Sequence, residues 1–391
     1  MKNTKTKVAA VLLASTMLFS TTAILAGCNK SAKASNGEII SEDSTWYDCK
    51  RIKLEAPFNT DDITNLEVLD EVYLDDSIYA LVSGEKAFDV MSAAKDPDFD
   101  FNSFIINTIC KYDLDGKFIE EIPITNTTES SIIASTGLSV YGDKLKVNFV
   151  GATVNSNSTE NSYALIDPKT KDIEFKSLDI EVGELALIQG TFAVGEYEAN
   201  LVVDYTNGNE YTVVVTKGDE TIKTINLTKD SGKSFDAIGS CYAIDDDTLV
   251  LECYGKDSVT LELSVSTGKI GVFEGGINSF YYFQPSQDGT SYAASYDGIY
   301  KLNDQLEPEM VINYADTNIN ISVAQLNEVV YVDPDCNRVI SSYTDYKSTF
   351  MPDTYVFIFD KAEKNPNAGK EIIDVYSLTP NVSFSQSEAL I

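Results

Sequence analysis

One unit recurs along the body of this chain, and it narrows the choice of folds more than any other feature. It runs as an apolar strand, an acidic or Gly turn, a second strand, then a segment of the form x-D-x-x-T/D-G-K and a closing strand. The second half is clearest in CKYDLDGKFIEEIPI from Cys110, YALIDPKTKDIEFKSLDI from Tyr163 and LELSVSTGKIGVFEGG from Leu261. Looser copies are YTVVVTKGDETIKTINL from Tyr211 and GIYKLNDQLEPEMVINY from Gly298. Tyr, Val, Ile, Thr and Phe dominate the runs, which is strand chemistry. Residues 46–361 hold no long amphipathic helix. Cut this way, they give about six units of roughly 45–50 residues each. Such a period in an all-β chain predicts a β-propeller, in which each four-stranded blade has both faces covered by its neighbours. Six blades is the count read here, and seven is compatible. A β-sandwich with extra sheets is the competing architecture.

The ends of the body argue for closure independently. WYDCKRIKLEAP, from Trp46 to Pro57, reads as the closing strand of a unit that nothing precedes. NEVVYVDP, NRVISSY and TYVFIFDKA read as a last unit whose outer strand is missing. Pairing the first strand with the last unit would close the ring and remove a free sheet edge.

The N-terminus carries the most specific local signal. Lys2, Lys5 and Lys7 precede an apolar stretch from Val8 to Ala26, and Leu25-Ala26-Gly27-Cys28 follows in the order of a bacterial secretory signal. Leu25, Ala26, Gly27 and Cys28 resemble a lipobox, the motif of bacterial lipoproteins. The resemblance implies cleavage before Cys28 and a thioether-linked diacylglycerol on its sulfur. Two acyl chains anchor stably where one is marginal. The expected location is therefore the extracytoplasmic face of the cell membrane. An ordinary signal peptide and an uncleaved transmembrane helix are the alternatives, and Ser15, Thr16 and Ser20 to Thr22 argue against the latter. Residues 28–45 then read as a flexible tether.

Charge and composition exclude several functions. The net charge of −32 argues against nucleic acid, whose phosphates require a basic footprint. It also repels anionic headgroups, so lipid rather than charge must hold the chain at the membrane. The chain has no His, which removes Ser-His and Cys-His catalysis and His-ligated metals. Its only Arg residues are Arg51 and Arg338, too few for sialidase-type chemistry, and SQDGT at Ser286 to Thr290 departs from the S-x-D-x-G-x-T register of an Asp-box. Asp75-Asp76, Asp96 to Asp100 and Asp245-Asp246-Asp247 lack the order and downstream Glu of a calcium loop and read as solvated turns. Neither a metal nor a cofactor is expected.

Six Cys are present; without Cys28 the remaining five cannot all pair. Cys241 and Cys253 are equidistant from Asp247 in CYAIDDDTLVLEC. They could face each other across a hairpin as a disulfide, or stand as two buried free thiols. FYYFQP, Phe280 to Pro285, reads as filling between blades rather than as a sugar platform. DPDFDFNSF, Asp96 to Phe104, lies in a long insertion and is the candidate contact loop.

After the body, residues 362–370 read as linker. Residues 371–391 offer a strand, a break at TPNV and a capping box at Ser385-Gln386-Ser387-Glu388, the opening of a βα unit. The lipobox, the β-rich body and this ending together resemble large lipoproteins of Gram-positive anaerobes. In those an N-terminal β-propeller precedes an extracellular solute-binding domain of an ABC-type importer. The resemblance implies a receptor for a sugar or similar small solute, with importer components as partners, in a chain lacking most of the solute-binding domain. None of that family's cleft residues can be carried over. A self-sufficient surface propeller contacting a protein or wall glycan at its rim is the alternative. Both readings expect a binding protein rather than an enzyme. A third, a hydrolase using two carboxylates, predicts two buried acids near the ring axis with split pKa values.

Overall fold

The computed structural model describes residues 39–54, 63–86, 105–124, 132–152, 159–177, 186–206, 209–218, 220–273, 284–285, 290–295, 297–303, 307–318, 328–345 and 353–370. The first strand, β1 (Tyr47–Leu54), stands apart from the strands that follow it in sequence. Blade 1 holds β2 (Ile63–Leu74), β3 (Ser77–Lys86), β4 (Ile105–Tyr112) and β5 (Phe118–Pro123). Blade 2 holds β6 (Ile132–Tyr141), β7 (Lys144–Ala152), β8 (Thr159–Ile166) and β9 (Ile173–Ser177). Blade 3 holds β10 (Ala186–Val194), β11 (Tyr197–Asp204), β12 (Glu210–Lys217) and β13 (Glu220–Asn226). A short helix, α1 (Leu227–Ser231), leads to blade 4, with β14 (Ala237–Ala243), β15 (Thr248–Tyr254), β16 (Val259–Ser264) and β17 (Ile270–Val272). Blade 5 holds β18 (Gln284–Pro285), β19 (Ser291–Ala294), β20 (Gly298–Leu302) and β21 (Pro308–Asn313). Blade 6 holds β22 (Glu328–Val332), β23 (Arg338–Asp345) and β24 (Asp353–Lys361).

Each of the six sheets has four antiparallel strands, and the sixth is completed by β1 in the order β1-β24-β23-β22. The pairing is continuous from Tyr47↔Lys361 to Leu54↔Thr354. The first strand thus supplies the outer strand of the last blade, and the ring closes as its ends foretold. The first strands of successive blades touch from β2 through β18, and β22 meets β2, so these strands line the axis.

The repeated x-D-x-x-T/D-G-K segment is a hairpin turn capped by its own Asp. Asp113 Oδ1 accepts from Asp115 N and Lys117 N at 2.9 Å each, and Asp167 Oδ1 accepts from Lys169 N at 2.8 Å and Thr170 N at 3.1 Å. In blade 4, Ser264 Oγ takes that place and accepts from Thr267 N. The turn then needs a left-handed residue: Gly116 (φ 78°), Lys171 (φ 65°) and Gly268 (φ 74°). Lys171 shows that Gly is favoured there but not required. Asp75 and Asp76 are absorbed similarly, as a tight turn with φ 50° and 54°.

Second strands carry near-continuous apolar runs because both their faces are covered. Five apolar clusters each join two neighbouring blades. Leu81 and Ile109 meet Val147 and Phe149 between blades 1 and 2; Val213 and Leu201 meet Leu249 and Leu251 between blades 3 and 4. Val250 meets Ala293 between blades 4 and 5, Ile299 meets Phe359 between blades 5 and 6, and Ile340 and Ile358 meet Cys110 and Ile78 between blades 6 and 1. In the seam between blades 2 and 3, the buried apolar cluster (Ala186, Ile188, Val202 and Val214) belongs to blade 3 alone.

The segment read as a linker folds back on the start of the body. Ile40 N donates to Lys370 O, Gly369 N to Ile40 O and Ala362 N to Trp46 O, each at 2.9 Å. Asn365 Nδ2 donates to Ser44 Oγ at 2.9 Å, and Asn365 and Asn367 are both buried. Residues 1–38, with Leu25, Ala26, Gly27 and Cys28, and residues 371–391, with the α/β start, lie outside the described residues.

The full chain should unfold in urea in a single cooperative transition, and a chain lacking residues 39–54, which hold the closing strand, should lose it. Phe359→Ala, at a fully buried position, should keep that transition but lower stability by about 3–5 kcal/mol.

Candidate functional site

The connections leading into first strands, and those between second and third strands, share one face of the ring. This face carries the long inserts. The contact loop Asp96 to Phe104, the aromatic Phe280 to Phe283 and most of SQDGT fall outside the described residues. What can be described is the strand ends beneath that face and the wall of the axis.

At the top of blade 1 two acids come together. Glu67 pairs with Ser83, and Ser83 with Asn107, so these three share one side of the sheet. Glu85, two residues on from Ser83, shares it too, and that side faces blade 2. Across the seam, Ser135 Oγ donates to Asn107 Oδ1 at 2.8 Å. Burial, followed by the nearby Glu85 charge, raises the Glu67 carboxyl above the ordinary glutamate value. A carboxyl that holds its proton more tightly than usual is a candidate general acid.

Lower on the wall, first strands are bulged. Register shifts fall between Val68 and Asp70, Ser135 and Gly137, Ile188 and Gly190, Ile238 and Ser240, and Val329 and Tyr331. A bulge frees main-chain groups and re-aims side chains. Asp70 uses the freed donors: Oδ1 accepts from Glu71 N at 2.9 Å, and Oδ2 accepts from Leu138 N of blade 2 at 2.8 Å. Both oxygens accept, so one carboxylate ties two inner strands.

The seam between blades 2 and 3 carries a polar network beside the blade 3 apolar cluster. Lys146 is 2% exposed, pairs with Glu198 and lies over the Tyr163 ring at 4.4 Å. Asn148 Nδ2 donates to Thr191 Oγ1 at 3.2 Å, and Thr191 Oγ1 donates to Asn200 Oδ1 at 2.9 Å. Asn200 Nδ2 donates onward to Val214 O at 3.2 Å.

Both arginines lie in blade 6. Arg51 sits 3.7 Å over the Tyr355 ring, which stacks with Tyr343 at 6.4 Å; Arg338 Nε donates to Asp360 at 2.6 Å.

The cysteine pair is placed differently from the sequence geometry. Asp245 Oδ1 accepts from Asp247 N and Thr248 N, which centres the turn on residue 246. A bulge at Gly239 shifts the register further. Cys241 therefore faces Leu251 and Cys253 faces Ile238; both thiols are free. They lie diagonally on the side facing blade 3. Burial pushes the Cys253 and Cys110 thiols up to about 12, which leaves them protonated and poor nucleophiles.

No family model and no curated protein matches the chain. Among solved structures it is similar to Zg3597, a family 117 glycoside hydrolase produced by the marine bacterium Zobellia galactanivorans. Identity is 8% over 81% of this chain and 91% of that one, with a TM-score of 0.40. It is similar to puromycin hydrolase at 10% identity, over 70% of this chain and 49% of that one, with a TM-score of 0.37. It is similar to the acylaminoacyl peptidase of Pyrococcus horikoshii at 14% identity, over 75% and 45%, with a TM-score of 0.38. The chain spans about half the length of the last two. These likenesses transfer no site residue.

One expectation is corrected by them. The chain was expected not to be an enzyme, yet all three of these structures are enzymes. The expectation rested on the two binding-protein readings, together with the absence of His and the scarcity of Arg. Those remove nucleophile triads and sialidase-type chemistry but leave a carboxylate pair untouched, and blade 1 holds one in Glu67 and Glu85.

Because the Glu67 carboxyl is raised in the folded state, it binds protons that the unfolded chain releases. Its contribution therefore favours the fold at low pH and is lost as pH rises above the ordinary glutamate value. Glu67→Gln should raise the Tm at pH 7 relative to the natural chain and raise it less at pH 4. An equal shift at both values would show that Glu67 titrates normally.

Proposed function

We propose that this chain is a lipid-anchored extracytoplasmic β-propeller, the propeller module of a solute-binding lipoprotein of an ABC-type importer for a sugar or similar small solute. The observation that carries this reading is Leu25-Ala26-Gly27-Cys28 behind a basic and then apolar leader. In the reading, residues 371–391 open the solute-binding domain and Cys28 carries the lipid. The contacts of residues 39–46 with 362–370 support it, because a module placed ahead of another domain must hand the chain on without opening its own ring. The experiment is metabolic labelling with palmitate in the native host. The natural chain should incorporate label and fractionate with membranes. Cys28→Ala should lose the label and leave the membrane or remain uncleaved. Label retained in that variant sinks the reading.

A second reading is favoured by the Glu67 and Glu85 pair: a surface propeller that acts on a wall glycan by itself, with Glu67 as proton donor and Glu85 as the second carboxyl. General acid catalysis contributes roughly 100- to 10,000-fold. Against purified wall polysaccharide, Glu67→Gln should cut release of reducing ends by at least about 100-fold with its fold intact. Equal release by variant and natural chain removes this reading.

A further inference from the structure

The six seams of the ring are not equivalent. In five, buried apolar side chains of one blade meet those of the next. Parting any of these would expose apolar surface to water, which the hydrophobic effect resists. The seam between blades 2 and 3 is built otherwise. From blade 2 it receives Lys146, Asn148 and Tyr163; from blade 3, Glu198, Asn200, Thr191 and Thr216 beside the apolar cluster of Ala186, Ile188, Val202 and Val214, which includes no residue of blade 2.

Closing this seam strips water from an ammonium and a carboxylate, and their attraction only partly restores what desolvation costs. It also leaves an acceptor unmet. Asn148 is 6% exposed, and its Oδ1 is buried without a hydrogen-bond partner. A buried acceptor without a donor forfeits what water would give it. Opening this seam wets the blade 3 cluster but also returns water to the ion pair and to the Asn148 amide oxygen. Opening any of the other five mainly wets apolar groups.

We propose that the ring opens at the seam between blades 2 and 3, which gives water and small polar solutes a lateral way to the axis. The seam runs outward from the inner strand β10 to β12, so parting it connects the channel wall with the ring's flank. This holds whether or not the chain serves an importer, since it rests on the ring alone.

The chain contains its own reporters for two closed seams. Cys110 is fully buried between blades 6 and 1, and Cys253 is 1% exposed between blades 3 and 4. Thr216→Cys adds a thiol to the polar seam at a position 2% exposed. Thr212→Cys, on the same side of β12 and 8% exposed, serves if the first variant does not fold. The folded protein is treated with N-ethylmaleimide, and labelling of each site is followed by peptide mass spectrometry, normalised to its rate in urea. The new thiol should label at least ten times faster than Cys110 and Cys253. Adding Lys146→Met together with Glu198→Met, which makes the seam apolar, should slow it to their rate. Labelling no faster than Cys110 and Cys253, or unchanged by the double replacement, overturns the proposal.

Discussion

The ring depends on one pairing. Six blades in sequence leave a free face at each end, and apolar faces left open would bind one another in solution. The pairing of β1 with β24 closes the circle by placing the earliest strand in the last sheet. Cys110 on blade 1 can then be covered by Ile340 and Ile358 of blade 6. The edge that β1 itself presents is also managed. Asn318 takes both main-chain groups of Cys49, with Oδ1 accepting from its N–H and Nδ2 donating to its C=O. A side-chain amide thus occupies the place a further strand would take.

Much of this was legible in the sequence because it is local. Asp113 and Asp167 cap their turns through amides two to four residues on, so the motif marks the hairpins between third and fourth strands of blades 1 and 2. Trp46 to Pro57 read as an orphan strand because its composition is that of a blade edge and no hairpin precedes it. The Cys241–Cys253 geometry failed because the hairpin centres on residue 246 rather than Asp247, so Cys241 already faces Leu251 before the bulge at Gly239 moves the partners beyond it.

The candidate sites were illegible because they are not local. Lys146 sits among residues 145–149, all buried, and a lysine in such a run was the available signal. Its partner Glu198 lies 52 residues away on another blade. Glu67 and Glu85 are likewise ordinary alternating strand acids until the ring brings a neighbouring blade over them. Sequence period fixes which strands share a sheet; only closure fixes which faces meet.

The contact between the two ends of the body has a mechanical consequence. The chain enters β1 at Tyr47 and leaves β24 at Lys361, and these two residues are paired. Beyond them Ile40 and Lys370 are joined by hydrogen bonds. Entry and exit are thus neighbours at one end of an antiparallel pair. Tension on the flanking segments would load that pair one bond at a time, as a zipper is drawn, rather than sharing the strain along its length. The pairing that closes the ring is thus weakest against a pull on its own ends.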